Sequence, residues 1–239
     1  MLKLIRADFY KTFHRSYFYV MALIIAALCF VMNFALRGGT YGSASCSTMF
    51  AMSLLSFPIF ILPMITQIVF SEEYQSHTLK NTAAYGTNRM AIYTSKCIIS
   101  VLLGVILAAV VLVAYFGGMF LFLPVDAKFN SELLREFFTR LAAASSVYIA
   151  CISMAVCFSG FFSRNGMATF LYYGVFYLTE YLLQLLHLSK GNEYLLKTQI
   201  GLIMQSPITQ LRQPVIISLV TMAVFFVGGA ALFQKKDLC

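Results

Sequence analysis

Charge is what this sequence most lacks. Only 11% of its 239 residues are Asp, Glu, Lys or Arg, against 60% hydrophobic, where ordinary soluble domains carry roughly 25% charged residues. So little polar material cannot cover a soluble surface of this size, which excludes a water-soluble globule. Disorder is excluded from the other direction, because 23 Phe and 14 Tyr are residues that disordered chains lack. Ten-residue segments of alternating hydrophobicity are missing, which removes the transmembrane barrel. There are three His, at His14, His77 and His187 on different elements, with no H-E-x-x-H or G-x-S-x-G to support an intramembrane enzyme. No G-x-x-x-x-G-K-[ST] phosphate loop occurs, so the chain is expected neither to bind a nucleotide nor to be an enzyme by itself. No metal cluster and no nucleic-acid signature stand out.

What is present is a set of long apolar runs. Crossing ~30 Å of hydrocarbon takes about 20 helical residues, and six runs reach that length: Tyr17–Leu36, Met49–Phe70, Cys97–Leu123, Leu141–Phe162, Met167–His187 and Pro214–Phe233. The backbone satisfies its own hydrogen bonds in lipid only as helix or closed barrel. The expectation is therefore an all-α integral membrane protein, a single domain over 1–239 with six transmembrane helices. The first run follows a basic start but is too long for a signal peptide and lacks an A-x-A site.

Orientation follows from the positive charges. Lys3, Arg6, Lys11 and Arg15 precede the first span and Arg37 follows it, which places both termini in the cytoplasm. The net charge of +8 then reflects orientation and anionic lipid rather than nucleic acid. Cys29, Cys97, Cys151 and Cys157 fall in or at the ends of spans and Cys239 is the last residue. Cys46 alone is external, so the cysteines read as small packing residues.

The segment 1–16 is amphipathic. Leu2, Ile5, Phe9 and Phe13 form one stripe, with Lys3, Lys11, His14 and Arg15 away from it and Arg6 at its edge, as in a helix lying in the inner headgroup layer. The second loop, 71–96, opens with Glu72-Glu73-Tyr74-Gln75-Ser76-His77-Thr78-Leu79-Lys80, a candidate short helix with both carboxylates in its first turn. Gly86-Thr87-Asn88-Arg89 reads as a turn, and Met90–Lys96 leads into the third span. Half of an intramembrane protease motif is also present in Glu72-Glu73, but His77 stands where that motif needs Arg.

Phe70-Ser71-Glu72-Glu73-Tyr74-Gln75-x-x-Thr78-Leu79-Lys80, with Gly86-x-x-Arg89 and Lys96, resembles the loop between spans two and three of ABC-2-type transporter permeases. The basic opening Met1–Lys11 and the ending Phe233–Leu238 are similar to that family as well. His77, before Thr78, departs from the Gly expected there. The chain particularly resembles short stand-alone bacterial permeases, including those that export or protect against lantibiotic or bacitracin-like peptides. The resemblance implies that 71–96 is a coupling element seated in a separate ATPase, with Glu72, Glu73, Tyr74, His77, Thr78, Leu79 and Arg89 in the contact. It further implies two ATPase subunits, which bind the ATP and Mg, and a second permease copy, identical or related.

Three further features carry readings. In the fourth span Ala142, Ser146, Ala150, Ser153, Cys157 and Gly160 place small residues on one face, suited to close helix packing within the subunit or at a dimer seam. In the fifth, Glu180, Gln184 and His187 share a face. They line a substrate path or gate, or form a satisfied cluster near the outer surface. In the second, Pro58 and Pro63 predict a kink, with Gln67 below them satisfying a freed carbonyl or facing the cavity. Asn33 reads as interfacial. Pro124–Arg140 reads as a surface helix, and Glu193–Arg212 is expected, on the family pattern, to form an outer re-entrant hairpin.

Two function classes follow. The first is the membrane permease of an ATP-driven export system, possessing no cofactor of its own and partnered by the ATPase and lipid. The second, a self-contained secondary transporter or channel, calls for inverted repeats or several buried acids, and neither is found.

Overall fold

A computed structural model describes residues 2–38, 42–75, 88–162 and 165–235. Among them every regular element is helical, with no strand. Helix α1 (Leu2–Phe13) is followed by α2 (Ser16–Arg37). Then α3 (Ala44–Ser53) passes through the 3-10 turn Leu54–Ser56 into α4 (Pro58–Gln75). The two longest helices are α5 (Arg89–Phe122) and α6 (Ser131–Phe161). Next come α7 (Asn165–Tyr173), a π turn (Gly174–Leu178) and α8 (Thr179–Leu185). A 3-10 turn (Ser189–Tyr194) leads to α9 (Leu196–Gln205), and another (Ile208–Gln210) to α10 (Arg212–Lys235).

Among the described residues, four segments are long and apolar enough to cross a membrane: Ser16–Arg37, Arg89–Phe122, Ser131–Phe161 and Ile208–Lys235. The pair Ala44–Ser56 and Pro58–Phe70, bent by 54°, makes a fifth if taken as one span. The run expected at 167–187 is not one regular helix, because the π turn divides it into α7 and α8.

Caps explain where helices begin earlier than the apolar pattern suggests. The Asn88 side chain accepts from the Met90 amide at 2.9 Å, so α5 starts at Arg89 and absorbs the lead-in Met90–Lys96, while Gly86 and Thr87 of the expected turn lie outside the described residues. Asn130 caps the Leu133 amide at 2.8 Å. The expected surface helix within 124–140 is therefore the opening of α6 itself. In the other direction, no Gly or Pro lies between Phe70 and Gln75 to stop α4. Glu72, Glu73 and Tyr74 consequently ride on its last turns rather than opening a helix of their own.

The bend before α4 shows how the fold handles its prolines. A proline removes the N–H that would bond the carbonyl four residues earlier, and for Pro63 that carbonyl belongs to Ile59. The Tyr172 hydroxyl donates to it at 3.1 Å. Tyr173 donates to Phe60 O at 2.6 Å and Tyr148 to Leu55 O at 2.5 Å. Three tyrosines from α6 and α7 thus serve the carbonyls that the bend exposes, where no water could do so in a bilayer core.

Helix α6 is the hub. Two thirds of its apolar window (67%) is buried, against 17% to 33% for the other single-helix spans, and it touches α3, α4, α5, α7, α9 and α10. Of the small residues on the predicted face, Ser146, Ala150, Ser153, Cys157 and Gly160 are buried within the chain, whereas Ala142 is exposed. Helix α10 presses onto this face through Gly229. A Cβ there would lie 2.9 Å from Tyr93 Cζ and 3.0 Å from Cys157 Cβ. The glycine permits this approach.

Asn33 is not interfacial but fully buried. Its amide donates to Cys29 O (3.0 Å) and Tyr115 O (3.1 Å), and its oxygen accepts from Ser47 Oγ (2.8 Å). Tyr115 Oη in turn donates to Ser47 O at 2.8 Å. A polar group this deep survives because each bond is met by α2, α3 or α5.

Candidate functional site

Two polar assemblies occupy opposite ends of the bundle. At the end bearing α1, the apolar side of that helix (Leu4, Ile5, Phe9 and Phe13) packs on the core. Its one acid, Asp8, turns toward α5. Asp8 Oδ2 accepts from Ser95 Oγ at 3.0 Å and lies 3.3 Å from Lys96 Nζ. Lys96 is 1% exposed and Asp8 9%, so this is a buried ion pair, a geometry that persists only when paired and hydrogen-bonded. Arg15, expected to point away with the other cations, is buried, and its guanidinium donates to Ile68 O on α4. Helix α1 is therefore tied to α5, and the junction between α1 and α2, where Arg15 is the N-cap residue, is tied to α4. Arg89 adds a third tie, donating to Gln234 O at the end of α10 at 2.9 Å.

Of the residues assigned to ATPase contact, Glu72, Glu73 and Tyr74 lie at the end of α4, described by backbone position only. His77, Thr78 and Leu79 lie outside the described residues. Arg89 opens α5. Sequence reading had no means of finding Asp8 as the partner of Lys96, since the two are distant in the chain and Asp8 looks like a surface residue of an amphipathic helix.

At the opposite end Glu180 pairs with Lys197 of α9, and the Lys197 ammonium stands 5.7 Å from the Tyr177 ring centroid and 5.6 Å from that of Tyr181. Both distances are within cation–π range. Gln184 and His187, grouped with Glu180 by spacing, are exposed. His187 has a different local role. It adopts φ 54°, its amide donates to Gln184 O at 3.1 Å, and the Leu188 amide donates to Leu183 O at 2.9 Å. That is the Schellman termination of α8. Gln67 donates to the Thr169 hydroxyl, joining α4 to α7.

Helix α9 is held at its other end by Arg140 of α6. The guanidinium donates to Ile203 O (2.5 Å), Met204 O (3.1 Å) and Ser206 O (3.0 Å), and it is braced by Glu136 at 2.8 Å. A cation on the last carbonyls of a helix also meets its dipole favourably. Nearby in chain order, Asp126 takes the Ser45 hydroxyl (2.6 Å) and amide (3.0 Å) at the start of α3. Hydrogen bonding from the Ser45 hydroxyl holds its carboxyl below the usual range.

The architecture is thus a helical membrane bundle in which α1 is bolted to α5 and the junction after α1 to α4, the two helices that flank the second loop. No curated protein matches the chain. Residues 4–180, from α1 to the start of α8, match the family described as ABC-2 family transporter protein. The chain belongs to the ABC-2 transporter family, as the permease component of an ABC transporter.

Proposed function

We propose that the chain is the membrane-spanning subunit of an ATP-driven exporter, coupling hydrolysis by a separate ATPase to outward passage of a peptide or amphipathic substrate, antimicrobial peptides included. The observation that carries this reading is a pair of ties at the start of the chain, from Asp8 of α1 to Lys96 of α5 and from Arg15, at the junction of α1 and α2, to Ile68 O of α4. A push on the loop between α4 and α5 would then move α1 and both helices as one body, as a rigid transmission requires. Glu72, Glu73, Tyr74 and Arg89 flank that loop, and His77, Thr78 and Leu79 fall within it.

In this reading the six spans are α2, α3 with α4, α5, α6, α7 with α8, and α10, in a bacterial cell membrane with both termini cytoplasmic. Helix α1 lies in the inner headgroup layer. Two permeases, identical or related, and two ATPase subunits make the working unit, with ATP and Mg on the ATPases.

Purification with the chain as bait is expected to recover an ATPase subunit whose hydrolysis the chain stimulates. Glu73→Arg or Tyr74→Arg should abolish that stimulation with the helical content and monodispersity unchanged. Full transport by the purified chain alone overturns the proposal.

A further inference from the structure

The geometry points to a cation-binding cradle at Tyr177, Glu180 and Tyr181, occupied at rest by the chain's own Lys197 and open to the substituted ammonium group of an amphipathic ligand. The three wall residues sit at i, i+3 and i+4 on one face of the π-interrupted helix, so a carboxylate and two aromatic rings converge on one point. That combination recognises ammonium groups: the carboxylate supplies charge and the ring faces replace water around the cation. Tyr177 also stacks on Phe60, with centroids 5.5 Å apart, which fixes one wall against α4.

The occupant is held in a way that permits exchange. Lys197 lies in the first turn of α9, where the helix dipole disfavours a positive charge, so the cradle rather than its own helix retains it. The cradle is not sealed. The Lys197 side chain is 36% exposed and that of Glu180 27%, while Tyr181 is 62% exposed. Arg140 grips the far end of α9 and buried Leu196, Gln199 and Ile200 hold its first turns, so withdrawal of Lys197 moves one side chain and leaves the helix docked. The surrounding surface (Leu178, Leu182 and Leu185, all more than half exposed) suits an apolar tail beside the cationic head. The site deepens the exporter reading and rests on it for the direction of transport, whereas binding itself needs no ATPase.

The test is calorimetric titration of the purified full chain, in uncharged dodecyl maltoside, with decyltrimethylammonium. Saturable binding is expected, about tenfold tighter in Lys197→Met, where the internal competitor is gone, and at least tenfold weaker in Glu180→Gln. An uncharged decyl glycoside should show no gain from Lys197→Met. A parallel titration with phosphatidylethanolamine identifies the source, since displacement of the probe assigns the cradle to a lipid headgroup and no displacement assigns it to a free amphiphile. No saturable binding in Lys197→Met, or the same gain for the uncharged glycoside, overturns the cradle. Lys197→Gln serves as the second variant. If both lysine variants lose monodispersity, the pair is a structural strut and the inference is also overturned. Intact binding without ATP-driven transport would instead refute the exporter reading alone.

Discussion

Lys96 Nζ and Asp8 Oδ2 lie 3.3 Å apart, between a helix at the very start of the chain and the opening turns of α5, with side chains only 2% and 11% exposed. An ion pair so enclosed is a mechanical joint as much as a stabilising contact. Removing one partner leaves the other charge in a site built for two.

Lys96→Met is therefore expected to lower stability by about 3 kcal/mol, read as a fall in melting temperature of the purified chain. The double variant Asp8→Leu/Lys96→Met should recover much of that loss. A double variant no better than the single one would show that the pair is not the unit that matters.

Arg140→Met should loosen α9. Several charge-assisted bonds to its terminal carbonyls go with the guanidinium, each worth roughly 1.5–3 kcal/mol. Limited proteolysis between 189 and 211 should rise sharply, and Arg140→Lys should protect only in part because an ammonium lacks the fork. Unchanged cleavage would remove Arg140 as the anchor.

The tyrosine service of the proline bend is open to a double-mutant cycle. Tyr172→Phe is expected to cost about 1 kcal/mol, the usual scale for a hydrogen bond inside a membrane bundle. In a Pro63→Ala background, residue 63 regains an N–H for Ile59 O and the same change should cost almost nothing. Equal costs in both backgrounds would separate the hydroxyl from the proline.

Gly229→Ala places a methyl against the Tyr93 ring and Cys157. Overpacking of this kind costs about 1–3 kcal/mol, and Tyr93→Leu in the same chain should relieve it. Denaturation midpoints of the four proteins decide the matter.

Asp126 gives a pH signature at the end of the bundle away from α1. Its folded pKa is lowered by the Ser45 hydroxyl, so its contribution is complete above the unfolded value, about 3.9. It is lost as pH falls through the lowered folded value. Exchange of the Ser45 amide should accelerate over that acid window, and Asp126→Asn should flatten the profile.

Much of the secondary architecture was legible because membrane helices announce themselves by length and composition. The amphipathic stripe of α1, the small face of α6 and the bend near Pro58 all correspond to elements of the fold. Boundaries were less legible where polar helix formers extend a span beyond its apolar part: Arg89–Lys96, Ser131–Arg140 and Ser71–Gln75 continue helices that hydropathy truncates. The grouping of Glu180 with Gln184 and His187 rested on even helical periodicity. The π turn precedes that stretch and the Schellman turn ends it at His187, so Glu180 pairs across to Lys197 while its neighbours on the same helix remain exposed.

By itself, then, the amino-acid order determined a helical membrane protein with a basic amphipathic start, since backbone hydrogen bonding in lipid leaves few alternatives to long apolar helices. Tertiary structure alone decided which polar groups meet: Asp8 with Lys96, Asn33 with Ser47 and Tyr115, Arg140 with the end of α9, Glu180 with Lys197. Each pair joins segments far apart in the chain or on different helices. Which side chains share a buried site depends on how helices rotate and cross, and helical periodicity records only which residues share a face of one helix.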